Sequence, residues 1–219
     1  MEFVEVGGKV IQRPSFEVDE LFAEPALFKG DFEIESARID EGDQSGVVGK
    51  GSLSGARVFA VDLSNSRLSP LGLSSVQLES LDLSNAVLAE TTARRVEFLR
   101  CRCIGLQVRF VQVADMYAED CRFDYGSVGF GQVKNAIIFR RCSFRETVLS
   151  GDLSNVVFDD CDLEMTEFEA TRANGCDLTE SRLIDARGLL TLRGARIYAE
   201  QAASVAKQIA TEAGLTVID

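Results

Sequence analysis

Large apolar residues recur every five positions along most of this chain. Stepping by five from Val48 to Val133 meets an apolar residue each time, and the series continues after one-residue slips at Phe139 and again at Leu153. The residue two places before each of them is mostly small, and none is charged. A period of five is neither the ~3.6 of a helix nor the ~2 of a strand. We therefore expect a repeat that buries one large and one small side chain in each unit.

The repeat selects a set of candidate core residues. Those at the large position are Leu53, Leu63, Leu83, Phe98, Phe123, Phe139, Phe144, Phe158, Leu163, Phe168 and Leu178, and those at the small position are Cys101, Cys121, Cys142 and Cys161. The four cysteines are 20, 21 and 19 residues apart, so they follow the same slips as the apolar series. We predict that they stack in one interior column. The slips predict one extra residue between Val133 and Phe139 and one missing between Leu149 and Leu153.

Several units have a shared form, as in Gly151-Asp152-Leu153-Ser154-Asn155, Cys161-Asp162-Leu163-Glu164-Met165 and Cys176-Asp177-Leu178-Thr179-Glu180. They resemble the repeats of the pentapeptide-repeat family, whose consensus is Ala-(Asp/Asn)-Leu-X-X. The resemblance covers about residues 46–197 and implies an all-β fold, a right-handed quadrilateral β-helix. In that fold four units form one square coil of 20 residues, and coils stack about 4.8 Å apart.

The two ends of the chain depart from the repeat. We expect residues 1–35 to form an irregular N-terminal cap, with a hairpin turning at Gly7-Gly8. The β-helix is predicted over 36–197, with a loop at about 41–50, and a helix and tail over 198–219 in the same single domain.

The C-terminal segment has the pattern of a short capping helix over 199–213. Its expected apolar face is formed by Ala202, Ala206, Ile209 and Ala213. Gly214 is a plausible end residue, and residues 215–218 could add a short strand. In some family members this end forms a dimer interface, so the resemblance leaves open a monomer or a homodimer through the C-terminal end.

Composition excludes several kinds of chemistry. The chain has no histidine, so mechanisms that need a His base and sites with His ligands are excluded. Glycine-rich Gly126–Gly131 lacks the spacing of a nucleotide-binding loop. We expect no enzyme activity, no cofactor and no metal site. Without a signal sequence or a long apolar run, a cytoplasmic protein with free thiols and no membrane partner is expected.

Charge is unevenly distributed along the chain. The net charge is −12 overall, while residues 94–145 carry +5 and residues 146–185 carry −9. Direct nucleic-acid binding is not expected from such an acidic chain. Charges of opposite sign alternate at coil spacing, for example Asp120 with Arg141, Arg140 with Asp159, and Arg145 with Glu164, which predicts a ladder of surface ion pairs.

Several acidic residues remain as a candidate surface after the predicted ion pairs have been assigned. Its candidate members are Asp162, Glu167, Glu169, Asp177 and Glu180. The favoured interpretation is a non-enzymatic protein-binding or scaffolding module with an unknown partner. The alternative comes from the resemblance alone: some family members mimic DNA, bind bacterial DNA gyrase, a type II topoisomerase, and protect it from quinolones.

Overall fold

The structure is a computed structural model that describes residues 2–218. Met1 and Asp219, the outermost residues of the predicted cap and tail, lie outside the described residues. The described elements are fourteen strands, two 3-10 turns and one helix. The strands are β1 (Phe3–Val6), β2 (Lys9–Gln12), β3 (Phe22–Ala23), β4 (Gly30–Glu35), β5 (Ala37–Asp43), β6 (Val48–Asp62), β7 (Arg67–Glu79), β8 (Val87–Leu99), β9 (Gln107–Glu119), β10 (Ser127–Arg140), β11 (Val148–Asp152), β12 (Val156–Asp162), β13 (Glu167–Arg172) and β14 (Asp177–Arg182). The 3-10 turns are Val18–Glu20 and Leu189–Thr191, and the helix is α1 (Ala199–Glu212).

Strands β3 to β14 wind into a parallel β-solenoid of about eight turns. Successive coils pair in parallel at an offset of 20 residues, so that Leu68 pairs with Leu88 and Leu88 with Val108. The predicted all-β solenoid with a C-terminal helix is confirmed. It forms because every coil buries the same two columns of side chains and bonds its backbone to the coils on either side.

Both predicted columns point inward. All fifteen residues selected for the core are at most 4% exposed. The phenylalanines stack in successive coils, with ring centroids 5.0 Å apart for Phe123 and Phe144 and 5.3 Å apart for Phe139 and Phe158. The interior is therefore a continuous stack of aromatic and aliphatic rungs.

The square cross-section depends on one backbone conformation at each corner. Twenty described residues other than glycine have positive φ, and each lies two places after an apolar residue. Asn65 and Asn85 are examples, with φ of 57° and 55°. A left-handed residue turns the chain sharply, and asparagine tolerates this conformation better than most residues. Each five-residue unit therefore contains the residue that turns the chain at a corner of the coil.

The two predicted slips are confirmed in the register of the strands. Between Lys134 and Ile137, β10 has one residue more than β9, and the extra residue lies beside Asn135, where φ is 67°. Between Gly151 and Asp152, β11 has one residue fewer than β13. Gly151 has φ of 86°, and a Cβ there would lie 2.1 Å from the Phe130 carbonyl oxygen, so only glycine fits.

Two apolar residues, one at the large position and one at the small position of the repeat, are placed differently from the prediction. Val48 is 64% exposed, because a further slip between Gly49 and Gly51 turns it outward. Val111, expected in the small column, is also exposed, and Phe110 takes the interior place instead. Phe110 stacks on Phe130 with centroids 5.6 Å apart, which fills the wider space that the smaller side chains of these coils leave.

The N-terminal segment differs from the predicted cap. The hairpin at Gly7-Gly8 forms, but β1 and β2 lie along the side of the rod. Coil structure begins earlier than residue 36, since β4 pairs with β6 and Ile34 is buried opposite Leu53. The loop expected at about 41–50 is only a tight turn between β5 and β6, because Asp43 accepts a hydrogen bond from the Ser45 amide and continues the coil.

The C-terminal helix covers the last coil. Its buried residue is Val205, with Ile209 packed beside it, whereas Ala202, Ala206 and Ala213 are exposed, so the predicted apolar face is misplaced. The small alanines contribute little apolar area, and the β-branched side chains decide which face packs. Gly214 ends the helix with φ of 84°, as expected.

Two further observations concern the tail and the length of the helix. Residues 215–218 form no strand. Among residues 2–218, no helix combines the length and the hydropathy that crossing a membrane requires.

Candidate binding surfaces

One side of the rod carries apolar side chains on its outer surface. Leu99, Tyr117, Ile138 and Val157 occupy outward positions in four successive coils, yet each is at most 9% exposed. The hairpin covers them: Ile11 is fully buried against this row, with Val4 and Val6 packed beside it. We call this side the hairpin wall. It forms a second apolar core outside the solenoid.

Hydrogen bonds position the hairpin along the wall. Lys9 Nζ donates to Asn155 Oδ1 at 2.6 Å, and Asn135 Nδ2 donates to the Val10 carbonyl at 3.0 Å. The amide of Gln12 donates to Asp115 Oδ1 at 3.1 Å. These three asparagine and aspartate residues sit at corners of successive coils, so the hairpin runs parallel to the rod axis. Its contacts span coils that are far apart in sequence.

An ion pair with a buried carboxylate fixes the open end of the hairpin. The Arg13 guanidinium donates two hydrogen bonds to Glu97, whose side chain is 2% exposed. Gln77 Nε2 donates to the same carboxylate at 3.1 Å. The Glu97 hydrogen bond raises the pKa of Arg13, outweighing its burial, so the guanidinium stays charged. A polar cavity of about 190 Å³ lies beside this pair.

The predicted ladder of ion pairs is present on the surface. Arg141 bonds Asp120 at 2.8 Å, Arg140 bonds Asp159 at 3.2 Å and Arg145 bonds Glu164 at 2.9 Å. The hydrogen bond from Arg141 lowers the pKa of Asp120. Arg100 extends the ladder by pairing with Glu79. These pairs neutralise much of the acidic segment.

Two of the five predicted acidic residues are occupied by structural contacts. Asp177 is buried, which corrects its assignment to the surface: it accepts bonds from the amide and hydroxyl of Thr179 and pairs with Arg196. Burial by itself would raise the pKa of Asp177, but the bonds from Arg196 and Thr179 outweigh it and lower the pKa. Asp162 makes the same turn with the amide of Glu164.

The aspartate of the repeat is thus a structural residue. Its carboxylate accepts a hydrogen bond from the amide two residues later, which stabilises the turn at the corner. Three more residues make this contact at 2.8–3.1 Å, namely Asp62, Asp82 and Asp152. A motif aspartate is therefore a poor candidate for binding a partner.

Three of the five predicted acidic residues are exposed. Glu180 accepts a hydrogen bond from the Tyr198 hydroxyl at 3.0 Å. Glu167 and Glu169 lie together on another side of the rod, and their carboxylates form no ion pair with any residue from 2 to 218. The structure therefore brings together Glu167 and Glu169, and it separates them from Asp162, Asp177 and Glu180.

Glu167 and Glu169 belong to a larger patch that includes apolar residues. The adjoining corner carries Tyr125, Glu146 and Met165 in successive coils, and the amides of these residues bond the next coil. Tyr125 is 57% exposed and Met165 is 40% exposed. We call this patch the acidic corner; its members are Tyr125, Glu146, Val148, Met165, Glu167 and Glu169. The presence of Tyr and Met at outward positions is a sequence signal for it.

The cysteines form the predicted interior column. The Cys101 amide lies 3.3 Å from Cys121 Sγ, and Cys142 and Cys161 follow in the next coils, all buried. Burial raises the pKa of Cys142, and it raises the pKa of Cys176 to about 12. Since the thiolate is the reactive form, the Cys142 and Cys176 thiols are held in their unreactive state. In the described part of the chain, no three potential ligand side chains are placed to hold a metal ion.

The fold and its period define a class: a parallel β-solenoid built from five-residue units. A family model for pentapeptide repeats matches residues 152–187 with eight copies. This part of the chain therefore matches the pentapeptide-repeat family, and the coils before it follow the same five-residue period. The sequence has no significant match among curated proteins.

Similar solved structures include two forms of QnrB1, a plasmid-mediated fluoroquinolone resistance protein. The trypsin-treated form is 18% identical, covers 91% of this chain and 100% of its own, and has a TM-score of 0.40. The full-length form is 19% identical, covers 86% and 99%, and has a TM-score of 0.39. HetL from the cyanobacterium Nostoc sp. strain PCC 7120, a pentapeptide-repeat protein involved in heterocyst differentiation regulation, is 14% identical, covers 75% and 86%, and has a TM-score of 0.36.

Proposed function

We propose that this chain is a non-enzymatic binding module whose outer walls dock segments of a partner protein. The observation that supports this function most directly is the docked hairpin. Outward apolar residues of the hairpin wall, with polar groups at the corners, already hold a β-hairpin of the same chain. The rod thus provides a flat, rigid surface that binds polypeptide without any catalytic group.

The acidic corner is the proposed site for a partner in trans. It offers the same combination as the hairpin wall, with apolar residues beside polar ones, and its Tyr125 and Met165 side chains are uncovered. Tyr and Met are enriched in protein interfaces. The carboxylates of Glu146, Glu167 and Glu169 would favour a partner with a basic rim around an apolar centre.

Crosslinking at defined positions tests this assignment. A photoreactive residue at Ser127, beside the acidic corner, is compared in cells with one at Gln132 on a different side of the rod. We expect a partner to crosslink from Ser127 and to be lost in a Tyr125→Ala, Met165→Ala double variant. The matched control is Val111→Ala, which also shortens an exposed apolar residue. Equal capture by the double variant and by the control would contradict the assignment.

A second candidate function is gyrase binding by mimicry of DNA. It is favoured by the three carboxylates of the acidic corner, which form no ion pairs among residues 2–218. It is opposed by the exposed Arg94, Arg109 and Lys134, which make other sides of the rod basic. A uniform negative rod is therefore not formed.

Supercoiling by purified gyrase, with and without a fluoroquinolone, tests the second candidate. Mimicry predicts inhibition or protection that weakens steeply with salt and is lost when Glu146, Glu167 and Glu169 are reversed to lysine. Reversal of Asp160 and Glu180, on another side, is the control. No effect of the folded protein at high concentration would exclude this function for that gyrase.

A further inference from the structure

The first strand edge of the solenoid is open. Strand β4 pairs with β6 on one side, and on its other side no strand within residues 2–218 is hydrogen-bonded to it. The hairpin that could have covered this end lies on the hairpin wall instead. An open edge presents a row of unpaired amide and carbonyl groups, which is a template for another strand.

The interior behind this edge is closed by side chains. Phe28 is 2% exposed and packs edge to face on Phe32, with ring centroids 5.4 Å apart. Ile34 is buried beside them. These residues close the apolar core at this end of the rod. The backbone edge is therefore available while the apolar core is protected.

The outward side chains of β4 define the chemistry of an added strand. Asp31, Glu33 and Glu35 alternate along its exposed face, whereas Phe32 and Ile34 point inward. A strand added to this edge would place alternate side chains within about 5 Å of the three carboxylates. Its other side chains would extend the interior column above Phe28 and Phe32.

We propose that the β4 edge binds, by strand addition, a partner strand in which basic and apolar residues alternate. The basic residues would lie opposite Asp31, Glu33 and Glu35, and the apolar residues would continue the core. Of these three carboxylates, only that of Asp31 has an ion pair among residues 2–218. Its partner is Lys50 at 3.3 Å, and both groups are exposed. This edge is separate from the acidic corner, so it stands whether or not the proposed function holds.

A second copy of the chain is disfavoured as the occupant. Pairing two β4 edges end to end would set two rows of carboxylates side by side, and like charges directly opposite each other destabilise a sheet. The acidic residues therefore select against self-pairing and favour a basic partner.

The test uses the full chain and an eight-residue peptide of alternating lysine and valine. Binding is followed by fluorescence anisotropy, and the amides of residues 30–35 by hydrogen exchange. We expect salt-sensitive binding that slows exchange in β4. A peptide of the same sequence with N-methyl groups on the pairing edge keeps the charge but cannot add as a strand, and it should bind about tenfold more weakly.

Matched charge variants distinguish peptide binding at the β4 edge from general electrostatic attraction to an acidic protein. Asp31→Lys, Glu33→Lys and Glu35→Lys together should abolish binding of the lysine peptide and create binding of a glutamate–valine peptide. The control triple, Glu146→Lys, Glu167→Lys and Glu169→Lys, changes net charge equally and should retain binding. Equal binding of the N-methylated peptide, unchanged exchange in β4, or equal loss in the control would overturn the proposal. So would concentration-dependent self-association that protects β4 without any peptide.

Discussion

The two segments outside the repeat, the hairpin and helix α1, close different surfaces of the rod. Helix α1 seals the end of the stack: Gln201 Nε2 donates to the Leu178 and Ser181 carbonyls, and Glu212 accepts from the Gly188 and Leu190 amides. The hairpin covers a side wall and leaves the opposite end open. A solenoid end therefore needs side chains that fill its core, but its edge can remain unpaired.

The sharpest test of this difference uses two neighbouring residues. Phe158 points into the solenoid and Val157 points into the hairpin interface, and both are at most 2% exposed. Phe158→Asp buries an unpaired charge in the stack and should cost on the order of 5 kcal/mol or more, enough to unfold the rod. Val157→Asp should release only the hairpin, because the charge then reaches water.

Circular dichroism and hydrogen exchange distinguish the two outcomes. In Val157→Asp we expect the strand signal to persist while the amides of β1 and β2 exchange rapidly. Glu167→Lys is the surface control and should leave both observables unchanged. If Val157→Asp unfolds the rod as completely as Phe158→Asp does, the hairpin interface is part of the same cooperative core.

A smaller effect is expected at the C-terminal end. Val205→Ala removes two buried methyl groups and should cost about 2 kcal/mol of helix docking. Hydrogen exchange should then accelerate in α1 and in residues 176–187, while the middle coils stay protected. Ala206→Ser on the exposed face of the helix is the control. Acceleration that spreads through the whole rod would show that the cap is coupled to every coil.

Hairpin release should also change the titration of Tyr117. Burial, to which the hairpin contributes, raises the pKa of Tyr117 to about 12, so docking is fully stabilised below the ordinary value of about 10. It is lost as the pH rises through about 12. In Val157→Asp we expect the Tyr117 pKa to fall to about 10, measured by phenolate absorbance. Tyr198, whose pKa is raised by its hydrogen bond to Glu180, should not change and serves as the internal reference.

The smallest effect is expected on the surface ladder. Arg141→Gln removes exposed ion pairs with Glu119 and Asp120, and such pairs are worth about 0–1 kcal/mol. The free energy of unfolding should fall by no more than this, and less at high salt. A loss as large as that of Val205→Ala would mean that the ladder, and not only the core, holds the coils together.

The interior of the rod could be predicted from the sequence because every five-residue unit must bury one large and one small side chain. The cysteine spacings even located the slips at Asn135 and Gly151. The slip before Leu53 could not be recognised from the sequence, because Val48 is an apolar residue that fits the period although it faces outward. A run of apolar residues is ambiguous when the period itself shifts.

The candidate surfaces were harder to predict. Asp177 matches an acidic surface by residue type, but the repeat uses its carboxylate in a turn. The hairpin wall had a signal in the runs Ile137-Ile138-Phe139 and Val156-Val157-Phe158, which place an apolar residue outside. The identity of the covering segment depends on contacts between residues about 100 or more positions apart, which a local pattern does not contain.

The docked hairpin has a consequence for the order of events during synthesis. Lys9 meets Asn155 across 146 positions of the chain, so the ribosome makes the hairpin long before it makes the wall that receives it. The coils can form one after another as they emerge, whereas the hairpin must wait in water with Ile11 exposed. Its closure is then a late step that joins coils made early to coils made late.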